Sequence, residues 1–104
     1  MELKKLLKEV LEELNLRGEF KVKVKPFRKK IASISHRTRT IYINKTCLEV
    51  LTEEEIKFVL AHELLHLKCG KFHTIEFERK LKKLFGKDLT YLVNWKVKKS
   101  MEFK

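Results

Sequence analysis

The chain has 104 residues, the length of one ordinary domain, which excludes a two-domain enzyme with separate cofactor and substrate lobes. Apolar residues make up 43% and charged residues 38%, so the chain can bury one modest core beneath a highly charged surface. The formal charge of +11 excludes an acidic, solvating chain and makes nucleic acid a candidate partner to be tested against the motifs.

The composition also predicts a cellular setting. The longest apolar runs are far too short to span a bilayer, and the N-terminal residues lack the uninterrupted apolar segment of a secretory signal. Cys47 and Cys69 could form one bridge at most, so we expect no disulfide framework. We therefore predict a cytoplasmic protein without membrane attachment. The excess of lysine over arginine and of glutamate over aspartate favours a thermophilic origin.

The first half of the chain predicts a helix followed by three strands. Leucines and Val10 recur at helical spacing from Leu3 to Leu14, and Gly18 is the expected stop. Residues 20–25 alternate apolar side chains with lysines and predict a half-buried strand that ends at Pro26. Residues 31–35 and 38–44 predict two further strands joined by a short hairpin turn at His36 and Arg37.

The second half predicts helices. Thr52 and Glu55 form a capping-box pattern that begins a strongly apolar helix, expected to reach Cys69 and end at Gly70. Residues 74–85 predict a further helix with a stop at Gly86, and the tail is expected to begin as a helix. The predicted class is therefore α+β, with a three-stranded sheet packed against an active-site helix and backing helices. We expect residues 1–86 to form the core and residues 87–104 a C-terminal helical tail.

The sequence His62-Glu-Leu-Leu-His66 lies inside the apolar helix and is an H-E-x-x-H motif. Residues four apart stand one above the other on a helix, so His62 and His66 can reach a single Zn²⁺. Glu63 lies one position round, where it can contact water at the metal without being a ligand. Apolar neighbours surround the three polar side chains, and buried polar groups need partners. The pattern predicts one zinc ion bound at this helix.

His73 is the predicted third ligand. It follows His66 by seven residues, just past the expected helix stop, where a turn can bring it back to the metal. Two helical ligands, a later third and one open position form the pattern of a catalytic zinc site. Glu76 and Glu78 are competing third ligands. Cys69 would instead make the site closed and structural, although we interpret it, like Cys47, as a core residue.

The segment from His62 to His73 resembles the zinc metallopeptidases of the gluzincin clan, and most closely the minimal soluble members called minigluzincins. These are similar to the catalytic domains of the M48 and M56 membrane peptidases. The resemblance covers nearly the whole chain and implies a zincin-like minimal metallopeptidase domain. It implies that His62, His66 and His73 are zinc ligands and that Glu63 is the general base. Most gluzincins have a glutamate as third ligand, whereas the minimal family resembles this chain in having a histidine.

This resemblance implies an endopeptidase that hydrolyses a polypeptide substrate with metal-activated water. Residues 38–44 are expected to form the rim strand, which pairs with an extended substrate by β-addition. His36, Tyr42 and Tyr91 are candidate donors to the oxyanion. The resemblance also implies latency, with the C-terminal segment covering the active site within its own chain or exchanged in a homodimer.

Two other functions remain open from the sequence. The histidine spacing is similar to that of a bacterial endoribonuclease family, but that family has glycine where this chain has Glu63 and an acidic residue where Phe72 stands. A non-catalytic basic module with a structural zinc would need four protein ligands, Cys69 among them. Nucleic acid is not expected as a partner, because the lysines of residues 21–25 and 80–83 lie on solvated faces without interleaved aromatic residues.

Overall fold

The computed structural model describes residues 2–69, 75–86 and 89–102. Its elements follow in chain order: α1 (Leu3–Glu13), β1 (Lys21–Lys25), β2 (Ala32–Ser35), β3 (Thr40–Asn44), α2 (Lys45–Val50), α3 (Glu53–Cys69), α4 (Ile75–Phe85) and α5 (Thr90–Glu102). The predicted α+β class with a three-stranded sheet is confirmed. Within the described ranges, no helix is long and apolar enough to cross a membrane.

The three strands form one mixed sheet in the order β1-β3-β2. β2 and β3 form the predicted antiparallel hairpin, with Ser35 opposite Thr40 and residues 36–39 as the turn. β1 pairs with β3 in parallel, so β3 is the central strand and both of its edges are bonded. The prediction that residues 38–44 form a free rim strand is therefore wrong. The edge strands are β1 and β2.

β1 is less buried than its alternating pattern predicts. Val22 is half-buried, but the side chain of Val24 is 45% exposed. An edge strand has a neighbour on one side only, and α1 contacts β1 while leaving Val24 largely uncovered. The alternation identified the strand correctly but could not show how far the covering helix extends.

α1 ends at Glu13, and the residue that stops it is Asn15 instead of the expected Gly18. Asn15 has a left-handed backbone with φ of 55°, and its N–H donates to the Glu12 carbonyl at 3.1 Å. The next N–H, of Leu16, reaches back to the Leu11 carbonyl at 2.9 Å. These two bonds form a Schellman motif, in which asparagine takes the position usually held by glycine. Gly86 follows α4 with φ of 74°, so the predicted stop there is confirmed.

The short helix α2 was not predicted. Asn44 caps it, because its side-chain oxygen accepts from the Thr46 N–H at 3.0 Å. A six-residue helix is shorter than two turns, so its sequence carries no measurable helical periodicity. Cys47 lies on α2, is fully buried and has its pKa raised to about 12 by that burial, so its predicted role in the core is confirmed.

α3 is the centre of the core. Its apolar side chains are buried all round the helix, as expected of an element that is covered on every side. The surrounding elements each contribute buried side chains to the same cluster: Leu6, Leu7 and Val10 from α1, Ile41 and Ile43 from β3, Leu81 from α4, and Leu89, Val93 and Val97 from α5 and the residue before it. The tail is therefore packed against the body of the domain.

Candidate metal centre and cleft

The helix that carries the H-E-x-x-H motif is fixed at its N-terminus by the predicted capping box. The Thr52 N–H donates to the Glu55 carboxylate at 2.8 Å, and the Glu55 N–H donates to the Thr52 hydroxyl at 3.2 Å. Glu53, Glu54 and Glu55 place negative charge in the first turn, which the helix dipole favours. The cap and the buried faces of α3 hold the motif residues in one orientation.

His62 and His66 converge on one point. Their rings are 4.9 Å apart between centroids and inclined by 73°, and their Nε2 atoms are 3.3 Å apart. Two nitrogen ligands at about 2.0–2.1 Å from a tetrahedral zinc ion would be separated by about 3.3–3.4 Å. The separation of the two Nε2 atoms therefore fits two ligands of one zinc ion. The donor set also suits zinc, because imidazole nitrogen is one of its preferred ligands.

Glu63 lies beside the histidine pair in a cleft of about 530 Å³. Burial raises the pKa of its carboxyl group, and the charges of His66 and Lys30 partly offset that rise. A carboxylate with a raised pKa takes up a proton more readily near neutral pH, which suits a general base. The structure therefore brings His62, Glu63 and His66 together at one cleft, as predicted from their spacing.

An aromatic contact supports the histidine pair from the preceding turn of α3. Phe58 is almost fully buried, and its ring centroid is 6.4 Å from that of His62. Phe85, at the end of α4, packs edge-on against Phe58 with a centroid distance of 5.3 Å. Edge-to-face aromatic pairs are favourable in addition to the area they bury. α4 thus stabilises the Phe58 ring, which packs against His62.

The candidate third ligands lie beyond the end of the motif helix. His73 and Gly70 lie outside the described residues, as does the side chain of Cys69. Glu76 and Glu78 are exposed on α4, and neither lines the cleft. Glu76 instead pairs with Lys80 at 3.3 Å. Among the side chains that the structure describes, no group of three metal-binding residues occurs, so His62 and His66 are the two predicted ligands that the described residues bring together.

The three candidate oxyanion donors have different positions. His36, in the hairpin turn, lines the cleft. Tyr42 does not line it, and the Lys25 ammonium lies 5.5 Å from the centre of its ring. Tyr91 is 82% exposed on α5 and also lies outside the cleft lining. Of the three candidates, His36 is therefore the one that lines the cleft in this structure.

The cleft includes residues that sequence reasoning missed. Lys29 and Lys30 lie in the connection between β1 and β2, while Asn94 and Lys98 come from α5. The lysine pair follows Pro26 and Phe27 and was not distinguishable from other surface lysines in the sequence. Asn94 and Lys98 do follow Thr90 at helical spacing, but only docking of α5 places that face at the cleft.

A helix that holds two imidazoles together beside a half-buried carboxylate in a cleft is the arrangement of a metal-dependent hydrolase. The sequence profile of peptidase family M48 matches residues 2–86, and the chain belongs to this family. The match favours a peptidase over the endoribonuclease and over the non-catalytic binding module.

Solved structures and a sequence relative agree with this assignment. The metallopeptidase zymogen jannalysin of Methanocaldococcus jannaschii is similar with a TM-score of 0.78 and 31% identity, over 97% of this chain and 98% of that chain. The metallopeptidase zymogen abylysin of Pyrococcus abyssi gives 0.77 and 30%, over 88% of each chain. The M. jannaschii protein MJ1213 is 50% identical over 95 residues, which cover 88% of this chain and 86% of that protein. The resemblance to minigluzincin-type zinc metallopeptidases is confirmed.

Proposed function

We propose that the protein is a zinc-dependent metalloendopeptidase in which His62, His66 and His73 hold one Zn²⁺ and Glu63 is the general base. The observation that carries the proposal is the 3.3 Å separation of the two Nε2 atoms, which matches two ligands of one zinc ion. Membership of peptidase family M48 supports the reaction class. His73 completes the set by its position in the sequence, seven residues after His66.

Peptide hydrolysis requires a group that moves a proton from the attacking water to the leaving amine. When bound, zinc would supply a Lewis acid that lowers the pKa of water and polarises the scissile carbonyl. The Glu63 carboxylate takes the proton of the attacking water and then delivers it to the amine nitrogen as the C–N bond breaks. His36 is the candidate donor to the oxyanion, since it lines the same cleft.

The substrate is proposed to bind along β2 instead of β3. Ala32, Ser33 and Ile34 line the cleft, and β2 is an edge strand bonded to β3 on one side only. Its other edge is available to an extended polypeptide, which would add to the sheet through main-chain hydrogen bonds. Main-chain pairing of this kind accepts many sequences, as an endopeptidase requires.

We propose that residues 87–104 form a latency segment on a core of residues 1–86. Two features support this division: α5 supplies Thr90, Val93, Asn94 and Lys98 to the cleft wall, and both structural relatives are described as zymogens. In the structure, α5 packs against its own chain. Exchange of the same segment between two copies would give a homodimer and keep the contacts of each cleft. We also propose a cytoplasmic location and a thermophilic source, on the composition described above.

Replacement of Glu63 by glutamine tests the central proposal. Glutamine keeps the size of the side chain but cannot accept the proton, so we expect peptide cleavage to fall about 10²- to 10⁴-fold while zinc stays bound. His62→Ala should instead remove the zinc. Glu54→Gln, an exposed position on the same helix, is the matched control and should keep both.

The measurements are zinc content by elemental analysis and cleavage of a quenched-fluorescence peptide library, each on the intact chain and on a chain ending at residue 86. A chelator should stop all cleavage. Full activity in Glu63→Gln, or zinc retained at full stoichiometry in His62→Ala, would contradict the assignment of these residues.

A further inference from the structure

The ionisable side chains that line the cleft are mostly basic. Lys29 and Lys30 come from the β1–β2 connection, and Lys98 comes from α5. Among the described lining residues, Glu63 is the one carboxylate, and it is assigned to proton transfer. The cleft therefore presents more positive charge than the proposed hydrolysis requires.

These three lysines are not used to hold the fold together. The ion pairs of the described residues involve other lysines, namely Lys57, Lys80 and Lys96. Lys29, Lys30 and Lys98 are exposed, and none of them pairs with a carboxylate of the described structure. An exposed ammonium group in the wall of a cleft can pair with a carboxylate that enters from outside.

The β1–β2 connection is held in place by a buried side chain. The Asn44 amide, which is almost fully buried, donates to the Phe27 carbonyl at 3.1 Å and to the Lys30 carbonyl at 2.8 Å. Both ends of residues 27–30 are thus anchored to the end of the central strand. Lys30 and Glu63 line the same cleft, so the anchored connection places Lys30 in the wall of the proposed active site.

We propose that Lys29 and Lys30 form a carboxylate-binding subsite beside the metal centre, with Lys98 contributing to it while α5 is docked, and that the subsite selects peptides that carry a carboxylate close to the scissile bond. The inference rests on the proposed peptidase function and names its substrate class. The carboxylate can belong to an aspartate or glutamate side chain or to the C-terminus of the substrate. Each exposed ion pair contributes little alone, but several cations around one cleft concentrate an anionic ligand there.

The first test measures binding without cleavage. Zinc-loaded Glu63→Gln protein, and the same full chain with Lys96→Met added to remove the cation that ties α5 to Glu55, are titrated into fluorescein-labelled peptides of one neutral sequence that differ at a single position, glutamate or glutamine. A second pair compares a free C-terminal carboxylate with its amide and so separates the two sources. We expect the carboxylate peptide of at least one pair to bind about 3- to 10-fold more tightly at low salt. The difference should shrink at about 0.5 M salt, where exposed charges are screened.

The second test locates the effect. Lys30→Glu and Lys98→Glu should each remove or reverse the preference, and Lys30→Gln should reduce it. Lys8→Glu makes the same change of charge on the exposed face of α1, away from the cleft, and should preserve the preference. An equal loss in Lys8→Glu would mean that net charge alone attracts the peptide, and would overturn the subsite.

Three other outcomes would also overturn the inference: equal affinity within both peptide pairs, no binding of any peptide to either protein, or tighter binding of a short oligonucleotide than of the carboxylate peptides. The wild-type enzyme is also assayed for cleavage of both members of each pair, which separates this inference from the proposed function. Cleavage without preference retains the peptidase and rejects the subsite. Preference in binding without any cleavage retains the subsite and rejects the peptidase.

Discussion

Asn44 links three parts of the molecule through one side chain. Its oxygen caps α2 at Thr46, while its amide nitrogen holds the carbonyls of Phe27 and Lys30. All of these groups are in or near the core, where an amide left without its partners is costly. The position therefore sets both the start of a helix and the wall of the cleft.

Asn44→Ala should destabilise the protein by about 2–3 kcal/mol, because a cap is lost and two backbone carbonyls lose a donor. Asn44→Asp keeps the capping oxygen but cannot donate, and it buries a charge, so it should not rescue the loss. Asn15→Gly is the control, since glycine tolerates the left-handed backbone found there and should leave stability nearly unchanged. Urea unfolding measures all three. A loss below about 0.5 kcal/mol for Asn44→Ala would contradict the role of this side chain.

At the level of elements, α3 and α5 are joined by a pair of charged residues. The Lys96 ammonium lies 2.8 Å from both carboxylate oxygens of Glu55, whose side chain is only 6% exposed. Burial alone would raise the pKa of Glu55, but hydrogen bonds from Lys96 and Thr52 outweigh it, and the pKa is lowered. Glu55 thus serves two elements at once: it completes the cap of α3 and anchors α5.

Lys96→Met should reduce the free energy of unfolding by about 1–3 kcal/mol at neutral pH, because Glu55 is left buried without its cation. Lys96 is partly exposed, so the loss should be smaller than for a fully buried ion pair. Lys80→Met removes a similar cation from Glu76, which is 72% exposed, and should cost no more than about 0.5 kcal/mol.

The loss in Lys96→Met should depend on pH in one direction. A lowered pKa means that the Glu55 carboxylate stabilises the native state above its ordinary value of 4.5, and that this contribution disappears as the pH falls through the lowered value. The difference between wild type and Lys96→Met should therefore be full at neutral pH and shrink in acid. Chemical unfolding from neutral pH to about pH 3 measures it. A difference that grows in acid would contradict the pairing.

The elements also show how far the sequence predicts this structure. The helical and strand periodicities, the capping box and the glycine stop at Gly86 are local signals, and each identified its element. The spacing of His62, Glu63 and His66 is also local to one helix, so the motif could be assembled from sequence alone. α2 was missed because six residues carry no period, and the stop at Asn15 was missed because asparagine adopts the left-handed backbone less often than glycine.

What could not be predicted depends on contacts between distant segments. The pairing order β1-β3-β2 places the third strand of the chain in the middle, so the edge beside the cleft is β2. Lys30 and Lys98 are 68 residues apart in the sequence and line the same cleft only because α5 packs against the body of the domain. Strand order and helix docking depend on contacts between several segments, so the sequence of one segment cannot predict them.

At the scale of the whole molecule, α5 affects two properties at once: the stability of the fold and the access of substrate to the cleft. This helix buries Val93 and Val97 in the core and forms one wall of the cleft with Thr90 and Asn94. An ordinary structural helix would support activity, since its loss would disturb the metal centre. A latency segment has the opposite effect: contacts that hold it in place stabilise the fold and restrict the substrate.

A supporting helix and a latency segment predict opposite changes in peptide cleavage when the contacts of α5 are weakened. If residues 87–104 restrain the enzyme, Lys96→Met should raise peptide cleavage several-fold while it lowers the melting temperature, and deletion of residues 87–104 should raise cleavage further at a larger loss of stability. Lys99→Met is the matched control: Lys99 contacts the exposed ring of Trp95 at 4.5 Å instead of the core, so both properties should stay close to wild type. Trp95 is the one tryptophan of the chain, so its fluorescence reports displacement of α5 directly. Cleavage that falls in step with the melting temperature, with zinc content unchanged, would show that α5 supports the active site and does not restrain it.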